Sequence, residues 1–168
     1  NDPFTGTSTE YQENGQPKEK IFYKNGREVS KTIFQYYENG QLGYKGNYKD
    51  GKEDGLSEGF YENGQLGYRW NHKDGKRDGL SEEFYDNGQL LSRGNYKNGK
   101  KIGDWNSYKK NGEDISNGLW ENFYDNGQLM MRGNLKDGKE DGRWIFFDRD
   151  GNLTETSVFK DGERVLKE

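Results

Sequence analysis

Phe84-Tyr85-Asp86-Asn87-Gly88-Gln89-Leu90 returns as Phe60 to Leu66 and as Phe123 to Leu129, and nearly so as Tyr36 to Leu42. Asn-Gly between apolar and aromatic residues is the strongest short-range hairpin signal, because both residues accept the positive φ of a two-residue type I′ turn. Each copy therefore reads as a β-turn with its flanking strands. One hairpin, repeated, is the unit of construction.

A second set of turn dipeptides alternates with the first: Asp50-Gly51, Asp74-Gly75, Asn98-Gly99, Asp137-Gly138 and Asp161-Gly162. The step from Asn39 to Asp50 is 11 residues and from Asp50 to Asn63 is 13, and this 24-residue period carries on through Asp74, Asn87, Asn98 and Asn111. It leaves room for two strands of ordinary length per period, joined as an antiparallel meander. The fold class is all-β, an elongated meander of about six hairpin repeats.

One interval is short, since Asn111 and Asn126 are 15 residues apart where 24 are due. A shortened repeat near 108–123 follows, read as a tolerated deletion in an array whose repeats contact mainly their neighbours, with a kink in the surface as the sharper alternative. Residues 1–10 show no periodicity and read as a loose tail, leaving 11–168 as a single array. Pro17 stands where Leu42 and Leu66 stand later, and proline belongs on an edge strand. Glu155, Arg164, Lys167 and Glu168 put charge at the other end, which blunts an edge.

Only 27% of residues are hydrophobic and mean hydropathy is −1.40, values that by themselves resemble a disordered chain. Disordered chains are poor in aromatics, whereas this one is 15% Phe, Trp and Tyr at fixed phase. A thin sheet held by a few large rings reconciles the two. The net charge of −4 argues against nucleic acid and disfavours a membrane-lipid partner, since both attract basic surfaces. No run of apolar residues is long enough for a transmembrane helix.

A two-residue loop at Asn63-Gly64 sets Tyr61 opposite Leu66, Glu58 opposite Arg69 and Ser57 opposite Trp70. The same rule pairs Tyr85 with Leu90, Glu82 with Arg93 and Ser81 with Gly94, then Tyr124 with Leu129, Glu121 with Arg132 and Trp120 with Gly133. Three Glu–Arg pairs result, expected on an exposed surface at a few tenths of a kcal/mol each. Trp105 is expected opposite Gly118 and Trp144 opposite Ser157, so that an indole covers bare backbone.

The words G-x-W-x-x-F/Y-Y-x-N-G-x-L, followed by a G-N-Y-K-D-G-K-x-D-G-like stretch, resemble the bacterial variant of the MORN repeat. Gly118-Leu119-Trp120 through Leu129, continuing as Arg132-Gly133-Asn134-Leu135-Lys136-Asp137-Gly138-Lys139-Glu140-Asp141-Gly142, carry the likeness most fully, and it extends over roughly residues 11–164. The resemblance implies a twisted or curved sheet of successive hairpins. Bacterial members often bear the name YwqK-family antitoxin, and eukaryotic MORN repeats are linked to membrane tethering and protein scaffolding.

His72 is the only histidine and cysteine is absent, so a His-based triad or a thiolate or multi-histidine metal site cannot form. His72 reads as a partly exposed ring. Asp148-Arg149-Asp150-Gly151-Asn152 has a calcium-loop look, but its glycine is misplaced for an EF-hand. Glu53, Asp54, Glu140 and Asp141 sit beside turns and read as solvated. No catalysis, cofactor or metal is expected.

The candidate binding residues are the periodic rings: Tyr44, Tyr48, Tyr68, Trp70, Tyr96, Trp105, Trp120 and Trp144, with Tyr61, Tyr85 and Tyr124 across from them. The bland alternative is that they are sheet core. The expected function is a non-enzymatic module that binds a protein at the bacterial cell surface or envelope. A carbohydrate- or cell-wall-binding module and an antitoxin-like, partner-neutralising protein are the alternatives, with a cytoplasmic location as the alternative placement.

Overall fold

The computed structural model describes residues 3–108, 110–111 and 118–167. In chain order the strands are β1 (Gly6–Tyr11), β2 (Pro17–Lys24), β3 (Arg27–Tyr36), β4 (Leu42–Lys49), β5 (Lys52–Phe60), β6 (Leu66–Lys73) and β7 (Lys76–Phe84). They continue as β8 (Leu90–Lys97), β9 (Lys100–Ser107), β10 (Gly118–Phe123), β11 (Leu129–Lys136), β12 (Lys139–Phe147), β13 (Leu153–Lys160) and β14 (Glu163–Lys167). All lie in one sheet in sequence order, each antiparallel to its neighbours, and β1 and β14 have one partner each, so the sheet does not close. At about 4.8 Å per strand this meander is about 60 Å across.

The two turn families differ from the expectation, in compensating ways. At the second family both central residues have positive φ, as in Asp50 (49°) and Gly51 (76°), and the flanking lysines Lys49 and Lys52 pair directly. These are the type I′ turns. At the first family only the glycine is positive (Gly64, 82°), Gly64 N donates to Tyr61 O at 2.8 Å, and Tyr61 N donates to Gln65 O at 2.8 Å. That is a three-residue loop in which the Gly takes the left-handed position. Phe60 then faces Leu66, Gly67 is the extra residue of a bulge, and Gly59 faces Tyr68. Loop and bulge shift the register in opposite senses, so Tyr61–Leu66, Tyr85–Leu90 and Tyr124–Leu129 are not opposed, while Glu58–Arg69, Glu82–Arg93 and Glu121–Arg132 are.

The word Tyr-x-Asn-Gly-Gln is a clasp between repeats. Tyr37 Oη donates to Phe60 O (2.6 Å), Tyr61 to Phe84 O (2.8 Å), Tyr85 to Tyr108 O (2.9 Å) and Tyr124 to Phe147 O (3.0 Å). Two residues on, Asn39, Asn63, Asn87 and Asn126 donate through Nδ2 to the carbonyls of Glu62, Asp86, Lys110 and Arg149. Their Oδ1 atoms accept the backbone N–H of the following glutamine. Tyr61, Tyr85 and Tyr124 therefore serve the stacking of hairpins and do not face the other rings across a hairpin.

The Glu–Arg pairs belong to a longer row. Lys45, Glu58, Arg69, Glu82 and Arg93 stand directly opposite one another on β4 to β8, with N–O separations of 3.7, 3.3, 3.9 and 3.6 Å. The two glutamates are only 16% and 15% exposed at the side chain, so the pairs are half-buried rather than free in solvent. Long cationic stems from both sides cover them.

Two expectations about the ends change. Gly6–Tyr11 is a strand paired with β2 where a loose tail was expected, and its Thr-rich polar sequence hides it from any test of alternation. Pro17 opens β2, the second strand, where its missing N–H costs least at the start of a strand beside a register shift. Of the shortened repeat near 108–123, residues 109 and 112–117, with Gly112 of the Asn111-Gly112 turn among them, lie outside the described residues.

Candidate functional site

Residues directly opposite across an antiparallel pair point to the same side of a sheet, so the pairing fixes the faces. Gly46, Ser57, Trp70, Ser81 and Gly94 form one such row across β4 to β8. Tyr44 and Tyr48 on β4, Tyr68 and His72 on β6, and Tyr96 on β8 flank it on the same face. Because Arg93 pairs with Asn106, Trp105 joins this face too. The register then changes. Trp105 faces Glu121, not Gly118, and Asn106 faces Trp120. A shift by an odd number of residues turns every side chain of the next strand over. Trp120 and Trp144, which lie 5.6 Å apart, thus stand on the opposite face of the sheet from Trp70 and Trp105. The eight candidate rings are two groups, back to back.

Their accessibility also sorts them. Trp105 and Trp144 are 7% and 3% exposed and are the only buried apolar side chains among the described residues. Each lies on a glycine of the preceding strand, Gly94 and Gly133, where a Cβ would run into the indole, and each donates Nε1–H to a backbone oxygen, of Asn95 (3.3 Å) and Asn134 (3.2 Å). Trp144–Ser157 and Trp120–Gly133 are opposed as expected, but the glycine that Trp105 covers is Gly94. These two indoles are core. Trp120 lines an apolar cleft with Met131, Leu135, Phe146 and Phe159.

On the first face the rings form a connected cluster around two charged residues absent from the candidate set. Trp70 is stacked by Tyr68 on one side (3.8 Å, 18°), and the Arg77 guanidinium carbon lies 3.5 Å from its centroid. Arg77 is also 5.2 Å from the Tyr96 ring and donates Nη1–H to Tyr96 Oη at 3.2 Å. Glu53 is the second hub. Its Oε1 accepts from Tyr44 Oη (2.9 Å) and Ser57 Oγ (3.3 Å), its Oε2 lies 3.5 Å from His72 Nε2, and Tyr44 and Tyr48 hydroxyls are 3.0 Å apart. So Glu53 is no solvated turn acid, because the strand pleat carries it onto the aromatic face opposite Tyr48.

His72 is 9% exposed rather than partly exposed, since it stands opposite Gly55, leaving the ring tucked against the sheet beside Trp70 (6.4 Å). Burial, with Arg77 opposing Glu53, holds its pKa below the ordinary imidazole value, so the ring is neutral at pH 7. Burial pushes the Tyr44 phenol far up, aided by its bond to Tyr48, so Tyr44 is a permanent donor. The loop at Asp148 closes on itself: Asp148 Oδ1 accepts from Asp150 N and Asn152 N, and the Asn152 side-chain and backbone donors hold the carboxyl below its usual range. No group of three or more His, Asp or Glu among the described residues is placed to hold a metal ion.

Sequence reasoning missed Arg77 and Glu53 because both sit in the most regular word of the chain. Lys52-Glu53-Asp54-Gly55, Lys76-Arg77-Asp78-Gly79, Lys100-Lys101-Ile102-Gly103 and Lys139-Glu140-Asp141-Gly142 agree at first and last positions and vary at the second. Variation inside an otherwise constant word was the available signal.

Six segments, 4–25, 32–50, 53–74, 77–98, 116–137 and 140–161, match the family described as MORN repeat variant. This chain belongs to that family. The six matches fall on the hairpins β1–β2, β3–β4, β5–β6, β7–β8, β10–β11 and β12–β13, leaving β9 between the fourth and fifth, and cover most of the sequence, which agrees with the open meander of strands. No curated protein matches the chain. MORN repeats typically serve as protein- or membrane-interaction modules, and the family is not typically enzymatic.

Proposed function

We propose that this MORN-repeat chain is a non-enzymatic module that binds another protein through the aromatic face of β4 to β9. The observation that carries the reading is the composition and order of the patch: Tyr48, Trp70, Arg77 and Tyr96 are half-buried and held by stacking and hydrogen bonds before any partner arrives. Tyr, Trp and Arg are the side chains that most often dominate interface energy, and a patch already fixed loses little entropy on docking. The acidic net charge speaks against anionic lipid or nucleic acid as that partner. Placement at a bacterial cell surface or envelope is part of the proposal, and an antitoxin-like role is the special case of a partner whose activity the contact blocks.

The carbohydrate reading has less to rest on among these rings. Sugar stacking needs a free ring face, yet Trp105 and Trp144 are buried and Trp70 is covered on both sides. The test is capture of partners from envelope extract, followed by titration of the purified partner against Tyr48→Ala and Tyr96→Ala. Each variant is expected to weaken binding at least about tenfold. Unchanged affinity in both, or micromolar binding on a glycan array that Tyr48→Ala and Tyr96→Ala abolish, refutes the reading.

A further inference from the structure

Among the described residues no carboxylate lies within ion-pair distance of Arg77, whereas Lys31 and Lys101 on this face have one each, Glu19 at 3.8 Å and Glu121 at 3.9 Å. Arg77 spends one N–H on Tyr96 and lays its plane on Trp70. Guanidinium has five N–H groups, so most remain to be matched. Directly beside it three buried polar atoms lack any partner: Trp70 Nε1, Ser81 Oγ and His72 Nδ1. Trp70 and Ser81 face each other across β6 and β7, and His72 faces Arg77 on the far side of a bulge in β7. Ser81 is 2% exposed and His72 9%. Buried polar groups in native proteins are matched by protein, ligand or ordered water almost without exception, and three of them beside a guanidinium with N–H groups to spare mark a place for an acceptor.

The chemistry of the cluster names the ligand. Indole N–H can only donate, the serine hydroxyl can donate, and Arg77 offers a planar fork of donors with a full positive charge. Such a set repels cations and wants an acceptor with several lone pairs. We infer that Arg77, with Trp70, Ser81 and His72, receives a carboxylate side chain of the protein partner, an inference that rests on the protein-binding reading above. The carboxylate meets the outer N–H edge of the guanidinium in its plane while Arg77 stays on the indole, which sets the new charge beside the Trp70 N–H, the Ser81 hydroxyl and His72. An arriving negative charge favours protonation of His72, which turns Nδ1 from acceptor to donor. Two acids flank the site: Glu53, engaged by Tyr44 and Ser57, and Glu83, which accepts from Ser92 Oγ at 3.3 Å. Their charge penalises a phosphate dianion more than a carboxylate.

The test is a titration of the isotope-labelled full chain, followed by NMR at the indole N–H signals, with hexaglutamate, hexalysine, acetate and inorganic phosphate at constant ionic strength. Hexaglutamate is expected to shift the Trp70 indole signal saturably and hexalysine to leave it unmoved. The Trp105 and Trp144 indole signals, already bonded to Asn95 and Asn134, should hold still and report an intact sheet. Arg77→Gln should weaken the response about tenfold or more, and Arg77→Lys by less, because the charge survives while the fork is lost. No response at Trp70, or an undiminished response in Arg77→Gln, overturns the inference. Phosphate saturating the site as readily as hexaglutamate overturns the carboxylate assignment. A captured partner that binds Arg77→Gln like the unmodified chain sinks this site and spares the protein-binding reading, whereas a saturable peptide response with no captured partner does the reverse.

Discussion

Removing the hydroxyls of the clasp tyrosines one at a time should reveal a graded series. Tyr37→Phe, Tyr85→Phe and Tyr124→Phe each delete a part-buried hydrogen bond of 2.6, 2.9 and 3.0 Å to a carbonyl of the next hairpin. A net intramolecular hydrogen bond is worth about 1 kcal/mol, and each deletion also leaves a carbonyl without its partner, so about 1 kcal/mol per variant is expected. Tyr61 is 37% exposed, and water can replace its bond to Phe84, so Tyr61→Phe should cost about 0.5 kcal/mol. Successive clasps are two strands apart, or three between Tyr85 and Tyr124, roughly 10 Å or more and far enough for near-additivity. The fourfold variant should therefore lose about 3.5 kcal/mol, read as a lower urea midpoint by tryptophan fluorescence with circular dichroism as a second probe. Because repeat arrays can lose cooperativity, the two probes should separate in that variant as hairpins uncouple. If the fourfold variant falls by less than about 1 kcal/mol and both probes still coincide, the clasp is decoration and the account of the repeated word is wrong.

Glu82→Gln, between the two arginines of the charged row, should cost about 1 kcal/mol in low salt, and most of that should vanish in 1 M NaCl; equal cost at both salts would show packing, not charge, at work. Gly94→Ala should destabilise by about 1–3 kcal/mol because its Cβ meets the Trp105 indole, while Gly118→Ala, with no closer neighbour than Ser107 O at 3.5 Å, should be neutral or slightly stabilising in the same thermal melt. The depressed pKa of His72 makes the unfolded chain bind more protons than the folded one, so stability is complete above about pH 6.5 and declines as pH falls from there toward the folded value. His72→Phe should flatten that part of a stability-against-pH curve, and an unchanged slope would assign it to other groups.

The meander and the pairing of Glu58 with Arg69 were legible because turn dipeptides and charge partners recur at fixed intervals, and each recurrence is an independent check. The turn type was not. Asn-Gly admits both a two-residue loop and a three-residue loop with a bulge, and the strand bodies end up in the same register either way, so residue spacing carries no information to separate them. The face of Trp120 was illegible for another reason: it depends on how β9 meets β10, across an interval that departs from the repeat, and periodicity cannot be extrapolated through its own interruption. Arg77 escaped notice because its isolation from carboxylates is a property of three strands together and leaves no trace in any one of them.

The odd register between β9 and β10 amounts to a rule of parity. In a flat array of hairpins, changes in pairing by even steps move side chains along the sheet and keep their side, whereas an odd step sends everything downstream to the reverse. The chain up to β9 is one inscription and the chain from β10 another on the back of the same page. A rigid body sliding along the front would read Tyr, Trp and Arg and then meet Glu121 and Arg132, the row that earlier belonged to the back. Loss or gain of a few residues in one linker can thereby decide whether a repeat array offers one long docking strip or two short ones facing opposite ways, with no substitution in any strand.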